Sequence, residues 1–336
     1  MNLRRIVTLV VLAVVLIGLG VLVASTVNLM PEEASVQAQM VDRLFRLLMG
    51  IATVIFVAVE GALVYAVVRF RRRAGDDTDG PAVHGSTTLE AVWTAIPALI
   101  VIVIAFVSFR VLAASAVREA EPVVVEVVGR QFTWEFRYPE ADVTSTELHL
   151  PVDRQVRFEI TSDDVIHSLW IPEFRIKQDA TPGRVAEMVI TPTRLGRFPI
   201  RCAELCGAAH AAMTAEVVVE SGEEFAAWLE GQRGAGLPVS PGDLGRRLFS
   251  QYGCNACHTL ADAGAAGVVG PSLDGIGAAA GSFVPGLDAR AYLEQSILDP
   301  EAFVVEGFPS GVMPPNFGDR LTGEELQALV DYLLSQ

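Results

Sequence analysis

Between Cys202 and Met213 the chain reads Cys-Ala-Glu-Leu-Cys-Gly-Ala-Ala-His-Ala-Ala-Met, placing two thiols, an imidazole and a thioether in one loop. Sulfur with imidazole suits copper better than magnesium or calcium, and a methionine is foreign to a closed structural zinc site. Two thiolates four residues apart can each bridge a pair of metal ions. A further nitrogen must then come from elsewhere, and His167 in Asp163-Asp-Val-Ile-His-Ser-Leu-Trp170 is the obvious donor. The expectation is a dinuclear copper centre. Cys202 and Cys206 bridge, His167 and His210 are terminal, Met213 is a weak ligand, and the Glu204 backbone carbonyl completes the set. A zinc site or a pair of free thiols is the plainer alternative.

A second constellation follows at Cys254-Asn-Ala-Cys-His258. This spacing is a c-type haem attachment signal: two thioether bonds fix the porphyrin edge and the adjacent His ligates iron. Taken alone it also fits a zinc or redox pair. Gly270-Pro271-Ser-Leu273 comes at a distance suited to a loop whose carbonyl orients His258. Met313, in Val-Met-Pro-Pro-Asn-Phe, is placed to be the second axial ligand, and a Met/His pair raises the haem potential. All the cysteines of the chain fall in these two motifs, so no disulfide framework is left to propose.

These groups need elements to hold them, and the composition limits what those are. The chain has 336 residues, 51% of them hydrophobic, and a mean hydropathy of +0.41. That is too apolar for an ordinary soluble enzyme and fits membrane spans joined to soluble domains. A net charge of −15 excludes a general nucleic-acid binder, which needs a basic face. Residues 1–29 carry Arg4-Arg5 and then the apolar run Ile6–Ala24, either a signal peptide or an extra transmembrane helix. Leu47–Val68 is a second apolar run, closed by Arg69-Phe-Arg-Arg-Arg73, and Ala91–Leu112 is a third. The arginines place residues 69–90 in the cytoplasm, so residues 40–113 form a transmembrane hairpin and everything after Ala113 lies outside. Glu60 falls inside the first hairpin helix. A carboxylate there is either functional or partner-facing, or simply protonated or bonded to a neighbouring subunit. Glu90 opens the second helix, where an N-terminus favours a carboxylate.

From 121 to 231 the pattern changes to short Val-, Ile-, Phe- and Thr-rich runs separated by Pro and Gly. Strands are predicted at Val123–Val128, Phe132–Tyr138, Val156–Ile160, Val185–Ile190, Phe198–Arg201 and Ala215–Val219, forming an antiparallel sandwich or Greek-key barrel. The copper residues then sit on loops at one end of a rigid sheet. A short helix over Glu223–Gly231 and a linker at 232–242 follow. Residues 243–336 form a small domain with a helix over Asp243–Gln251 and a closing helix. Thr322 and Glu325 make a capping box for that last helix, with Leu326, Leu329, Val330 and Leu333 on its buried side. This region is strongly acidic and its only basic residues are Arg246, Arg247, Arg290 and Arg320. It is either a solubilising surface or a docking face for a basic electron donor.

From about residue 40 onward the sequence resembles subunit II of cytochrome c oxidase, in the bacterial caa-type form with its own C-terminal cytochrome c domain. Glu90, Trp93, Thr94 and Pro97 match the start of the family's second span. Asp164-Val-Ile-His-Ser168, Lys177-Gln-Asp-Ala-Thr-Pro-Gly-Arg184 and Cys202–Met213 match its copper-ligand blocks, and quinol-oxidising relatives lack the Cys pair. The resemblance implies a membrane multi-domain fold: a helical hairpin, an all-β cupredoxin-like Greek-key sandwich at 121–231, and a small all-α cytochrome c domain. It implies the mixed-valence centre called CuA, covalent haem c, and a magnesium ion held partly by the Glu204 side chain at the boundary with subunit I. It places Glu90 near the mouth of a proton pathway in subunit I. One position departs: in Gly129-Arg-Gln-Phe-Thr-Trp-Glu-Phe136, Phe132 stands where the family carries an electron-entry Trp, while Trp134 remains as a core aromatic. A tethered haem delivering the electron accommodates that change.

The implied protein is the electron-entry subunit of a proton-pumping respiratory oxidase in the bacterial cell membrane, with both cofactor domains on the extracytoplasmic side. Its partners are subunit I, further oxidase subunits, and an external donor such as a cytochrome c or a quinol–cytochrome c reductase. There is no oxygen-reducing site in this chain: the remaining His84 and His149 cannot build one and read as surface residues. The rivals are the entry subunit of a nitric oxide reductase and a membrane-tethered carrier with no enzyme partner.

Overall fold

The computed structural model describes residues 3–72, 75, 80, 82, 84–234 and 241–336. Arg73 and most of the expected 232–242 linker lie outside the described residues. The chain forms two compact units, one comprising Met1–Glu32 with Ala38–Val117, the other Glu33–Gln37 with Arg118–Gln336.

The first unit is helical: α1 (Leu3–Thr26), α2 (Val36–Phe70) and α3 (Thr87–Ser115). All three are long and apolar enough to cross a membrane, since a span of the hydrocarbon core needs about 20 residues. α2 starts well before the predicted Leu47, because Val36–Arg46 continues the helix with polar residues mixed in. α3 opens on Ser86, whose hydroxyl accepts from the Leu89 amide at 3.5 Å. Pro97 lies inside α3, as spanning helices tolerate.

The second unit begins with a β-sandwich. Its strands are β1 (Val123–Arg130), β2 (Thr133–Tyr138), β3 (Val143–Ser145), β4 (Leu148–Pro151), β5 (Val156–Ser162), β6 (His167–Ile171), β7 (Ile176–Ala180), β8 (Ala186–Ile190), β9 (Gly196–Cys202) and β10 (Thr214–Glu220). They form two five-stranded sheets, ordered β3-β2-β1-β5-β8 and β4-β10-β9-β6-β7. The period-2 rule holds along β5, where Val156, Phe158 and Ile160 are buried and the residues between are half-buried. Trp134, Phe136, Leu148, Phe158, Ile160 and Ile200 fill the space between the sheets. The sheets are not purely antiparallel as expected. β1 runs parallel to β5 and β4 parallel to β10, because each pair is joined across the sandwich rather than by a hairpin.

A segment with no strand signal also belongs to this unit. Ala34 donates to the Glu173 carbonyl and accepts from Thr193, and Val36 donates to the Thr191 carbonyl, each at 3.0 Å. After β10, α4 (Gly222–Gly234) lays Phe225 and Trp228 on Tyr138, with ring centroids 6.1 and 5.2 Å away.

The rest is mostly helical, with α5 (Pro241–Gln251), α6 (Cys254–Cys257), α7 (Ile276–Ala279), α8 (Ala289–Leu298), α9 (Phe317–Arg320) and α10 (Gly323–Leu334). It is not purely α as expected, since Thr259–Leu260 and Ala265–Ala266 pair as a short antiparallel ribbon. The Thr322–Glu325 capping box opens α10 as predicted. Leu329, Val330 and Leu333 are buried against Phe249, Tyr292 and Ile297, while Leu326 is only half-buried.

Candidate metal centre and cofactor cavity

The expected copper residues lie at strand ends or on the loop joining β9 to β10. His167 opens β6, Cys202 closes β9 and Met213 directly precedes β10. Register brings them together: Leu169 pairs with Cys202 across β6 and β9. Two backbone bonds then clamp the loop, from the Cys202 amide to the Met213 carbonyl (3.1 Å) and from the Ala203 amide to the Ser168 carbonyl (2.9 Å). The Cys202 and Cys206 sulfurs stand 3.9 Å apart. Cys206 Sγ is 3.7 Å from His210 Nδ1 and 3.7 Å from Met213 Sδ, and Cys202 Sγ is 3.3 Å from the Glu204 carbonyl oxygen. His167, Cys202 and Cys206 each offer a ligand atom, all within 4.8 Å of one another. The six predicted groups therefore converge. The Glu204 side chain is exposed beside them.

The orientation of His167 is the most telling feature. Its Nε2 faces Asp164 Oδ1 at 2.8 Å, while its Nδ1 is buried with no hydrogen-bond partner. Buried polar atoms are nearly always satisfied. An orphan nitrogen aimed at two sulfurs fits a metal ligand whose outer nitrogen is fixed by a carboxylate. Asp164 also accepts from the Gln131 and Val165 amides at 2.8 and 2.6 Å. Burial alone would raise the Asp164 pKa, but these bonds outweigh it and hold the carboxyl below its ordinary value. Burial likewise disfavours a charged His167, yet Asp164 and Cys202 overcome this and raise it. The thiols behave as a pair. The bond from Cys206, helped by His167 and two backbone groups, pulls Cys202 down to about 3, and the same pairing with burial pushes Cys206 up. Such a site holds one thiolate readily and gains the second with a cation present.

The second constellation lines a largely apolar cavity. Cys254, Cys257, His258 and Met313 all face it, with Phe249, Ile297, Phe303 and Leu333 among its walls. His258 Nδ1 lies 2.8 Å from the Pro271 carbonyl, the orienting contact predicted for that loop. Donating there leaves Nε2 as the free nitrogen. Burial holds the His258 pKa below its usual value, with the Pro271 bond opposing, so the ring is neutral as an iron ligand must be. A Cβ on Gly270 would lie 2.7 Å from the imidazole, so only glycine lets this loop pass behind the ring. Burial raises Cys254 to about 12 and also raises Cys257, keeping both as thiols. An apolar cavity with a neutral imidazole, a thioether and two thiols on its wall fits a haem.

Sequence reasoning missed one residue of this cavity, Gln131. Phe132, noted at the family's electron-entry position, lines it too, and both come from the turn between β1 and β2. Their neighbour Trp134 is fully buried in the sandwich, 6.0 Å from the His167 ring. His84 is exposed as expected, but His149 is not a surface residue. β4 is paired to β10 and covered by α4, so His149 is buried, stacks on Trp228 at 3.9 Å and bonds Glu220 at 2.7 Å. Glu60 is an exposed residue of α2, and Glu90 lies exposed in the first turn of α3.

Three family models match the chain in order: cytochrome c oxidase subunit II, transmembrane domain, at residues 23–111; cytochrome c oxidase subunit II, periplasmic domain, at 142–221; and cytochrome c at 242–336. Cytochrome c oxidase subunit 2 of Thermostichus vulcanus is 36% identical over 68% of this chain and 86% of that protein. The same subunit of Alkalihalophilus pseudofirmus is 30% identical over 85% of each. The crystal structure of the periplasmic domain of cytochrome oxidase subunit II from Bradyrhizobium japonicum is 30% identical, with a TM-score of 0.34, covering 35% of this chain and 98% of that one. With these relatives spanning most of its length, the chain belongs to the cytochrome c oxidase subunit II family, in the form that carries a fused C-terminal cytochrome c domain.

Proposed function

We propose that this chain is the electron-entry subunit of a membrane-bound cytochrome c oxidase, taking electrons at its own haem and passing them through a dinuclear copper centre to subunit I. The observation that carries this reading is the convergence of His167 Nδ1, the two cysteine sulfurs, His210, Met213 and the Glu204 carbonyl on one point. Those six groups would hold the copper pair, which would supply a one-electron acceptor and donor there. Cys254 and Cys257 would hold the haem covalently, and His258 and Met313 would ligate its iron.

The chain's own residues supply rigidity and insulation. Asp164 fixes the His167 ring, and Pro271 fixes His258. The backbone bonds at the strand ends hold the loop that carries the two sulfurs, 3.9 Å apart. The apolar walls exclude water from the haem cavity. Val165, Ile166 and Leu205 are exposed beside the copper loops, which supports docking on a large partner subunit over a solitary carrier. The Glu204 side chain at the same place would contribute to a magnesium site at that boundary, and Glu90 would stand near a proton path in subunit I. Arg69 in the last turn of α2, with Arg71 and Arg72 just after it, supports a cytoplasmic turn in a bacterial plasma membrane, with residues from Arg118 onward outside. The corresponding domains are 1–29, 40–113, 121–231 and 243–336, with 232–242 between the last two.

The test is purification of the complex. It should contain a large catalytic subunit, two coppers and one covalent haem on this chain, and consume oxygen on addition of a reduced cytochrome. Consumption of nitric oxide in place of oxygen, or a chain that purifies alone with a single zinc, refutes the reading.

A further inference from the structure

Gln131 and Phe132 are the sandwich residues that line the haem cavity; its other walls come from the helical region. Both are also locked to the copper loop. The Gln131 side-chain amide donates to the Cys206 carbonyl at 2.5 Å. Its backbone amide donates to Asp164 Oδ2 at 2.8 Å, and the other oxygen of that carboxylate holds His167. Room for this is made on both sides. A Cβ on Gly207, where φ is +140°, would lie 2.8 Å from the Gln131 amide nitrogen and 3.0 Å from the Phe132 ring. On the haem side, a Cβ on Gly253 would stand 3.3 Å from the Phe132 backbone nitrogen. Phe132 itself is 5% exposed.

We propose that Gln131 is the positioning residue for electron transfer between the two cofactors: its amide ties the Cys206 carbonyl to the wall of the haem cavity, so that Phe132, Gln131 and the Cys206 carbonyl form a bonded bridge from that cavity to the copper loop. This rests on the cofactor assignment above. The step is the loss of one electron from ferrous iron, which becomes ferric, and its gain by the copper pair; no bond forms or breaks and no proton moves. An uncharged amide suits the place. It donates to a carbonyl without adding a charge that would favour one oxidation state over the other. A carboxylate there would repel the carbonyl, and a hydrocarbon would leave the Cys206 carbonyl unpaired.

The experiment uses the intact complex carrying Gln131→Leu or Gln131→Glu. The haem is reduced rapidly, and its reoxidation and the appearance of reduced copper are followed optically. A small soluble reductant that reaches copper directly gives the second rate, and electron spin resonance reports the copper pair. Both variants should keep the haem and the copper resonance. Haem-to-copper transfer should slow roughly tenfold in Gln131→Leu and further in Gln131→Glu, with direct reduction of copper as fast as in the parent. Wild-type transfer in both variants overturns the proposal. So does loss of the copper resonance in step with the rate in both, which is what a merely structural role gives. If the parent complex itself lacks a mixed-valence resonance, the cofactor assignment fails first, and that failure is visible before any variant is made.

Discussion

The copper loops and the haem cavity are two ways of preparing a protein for a cofactor. In the first, strands do the work. Cys202, His167 and Met213 sit at the ends of β9, β6 and β10, main-chain bonds clamp the loop between them, and the donor atoms of His167, Cys202 and Cys206 lie within 4.8 Å of one another. In the second, helices surround a space. Phe249, Leu329 and Leu333 pack on one another, but Phe303 and Met313 border a cavity that only a large apolar group can fill. The sandwich thus owns its core, whereas the helical region leaves part of its core as a cavity for a haem to fill. Metal binding should then add function to the first and structure to the second.

The strongest test of this contrast is removal of both thiols proposed to carry the haem. In Cys254→Ala/Cys257→Ala, residues 243–336 should lose their slow amide exchange almost entirely, while β1–β10 keep theirs; equal protection in both regions would erase the distinction. The mirror-image change is Cys206→Ser. It should abolish the mixed-valence copper resonance completely, yet leave the melting of the copper-free sandwich within about 1 kcal/mol of the parent. A collapse of the sandwich would show that the loop is part of its foundation.

A finer probe is Asp164→Asn in copper-free protein. The carboxylate accepts bonds from His167, Gln131 and Val165, and hydrogen bonds to charged groups contribute about 2 kcal/mol. Because its pKa is held below the ordinary value, its contribution is complete above that value and fades as pH falls through the lowered one. Denaturant titration at neutral pH should show the loss, and the parent and variant curves should converge in acid. The smallest effect belongs to Thr322→Ala, which removes the capping box of α10. It should cost about 1 kcal/mol, measurable only in the haem-loaded form if the helical region depends on its cofactor.

The contrast also explains what could be read from the sequence. Cys202–Met213 and Cys254–His258 announce themselves because ligand chemistry restricts residue type and spacing to a few choices. Strands such as β1 and β5 show through their alternating apolar positions. β3 and β4 do not, since Val143–Ser145 is too short to establish a period, and all four residues of β4 are buried once β10 and α4 cover it. His149 was misplaced for the same reason. The Ala34–Val36 edge is invisible because it pairs through backbone groups that every residue carries. Gln131 is the instructive omission: an amide between an Arg and a Phe has no pattern of its own, and its partner Cys206 lies 75 positions later.

The parallel pairing of β4 with β10 sets a timetable for biosynthesis. Leu148 meets Val217 only after the ribosome has made everything between them, and such distant contacts form slowly. Until β10 has emerged and zipped against both β9 and β4, the Cys202–Met213 loop has no second anchor. A nascent chain shorter than about 220 residues can therefore hold every copper ligand and still have nowhere to put the metal, so loading must wait until the sheet is finished.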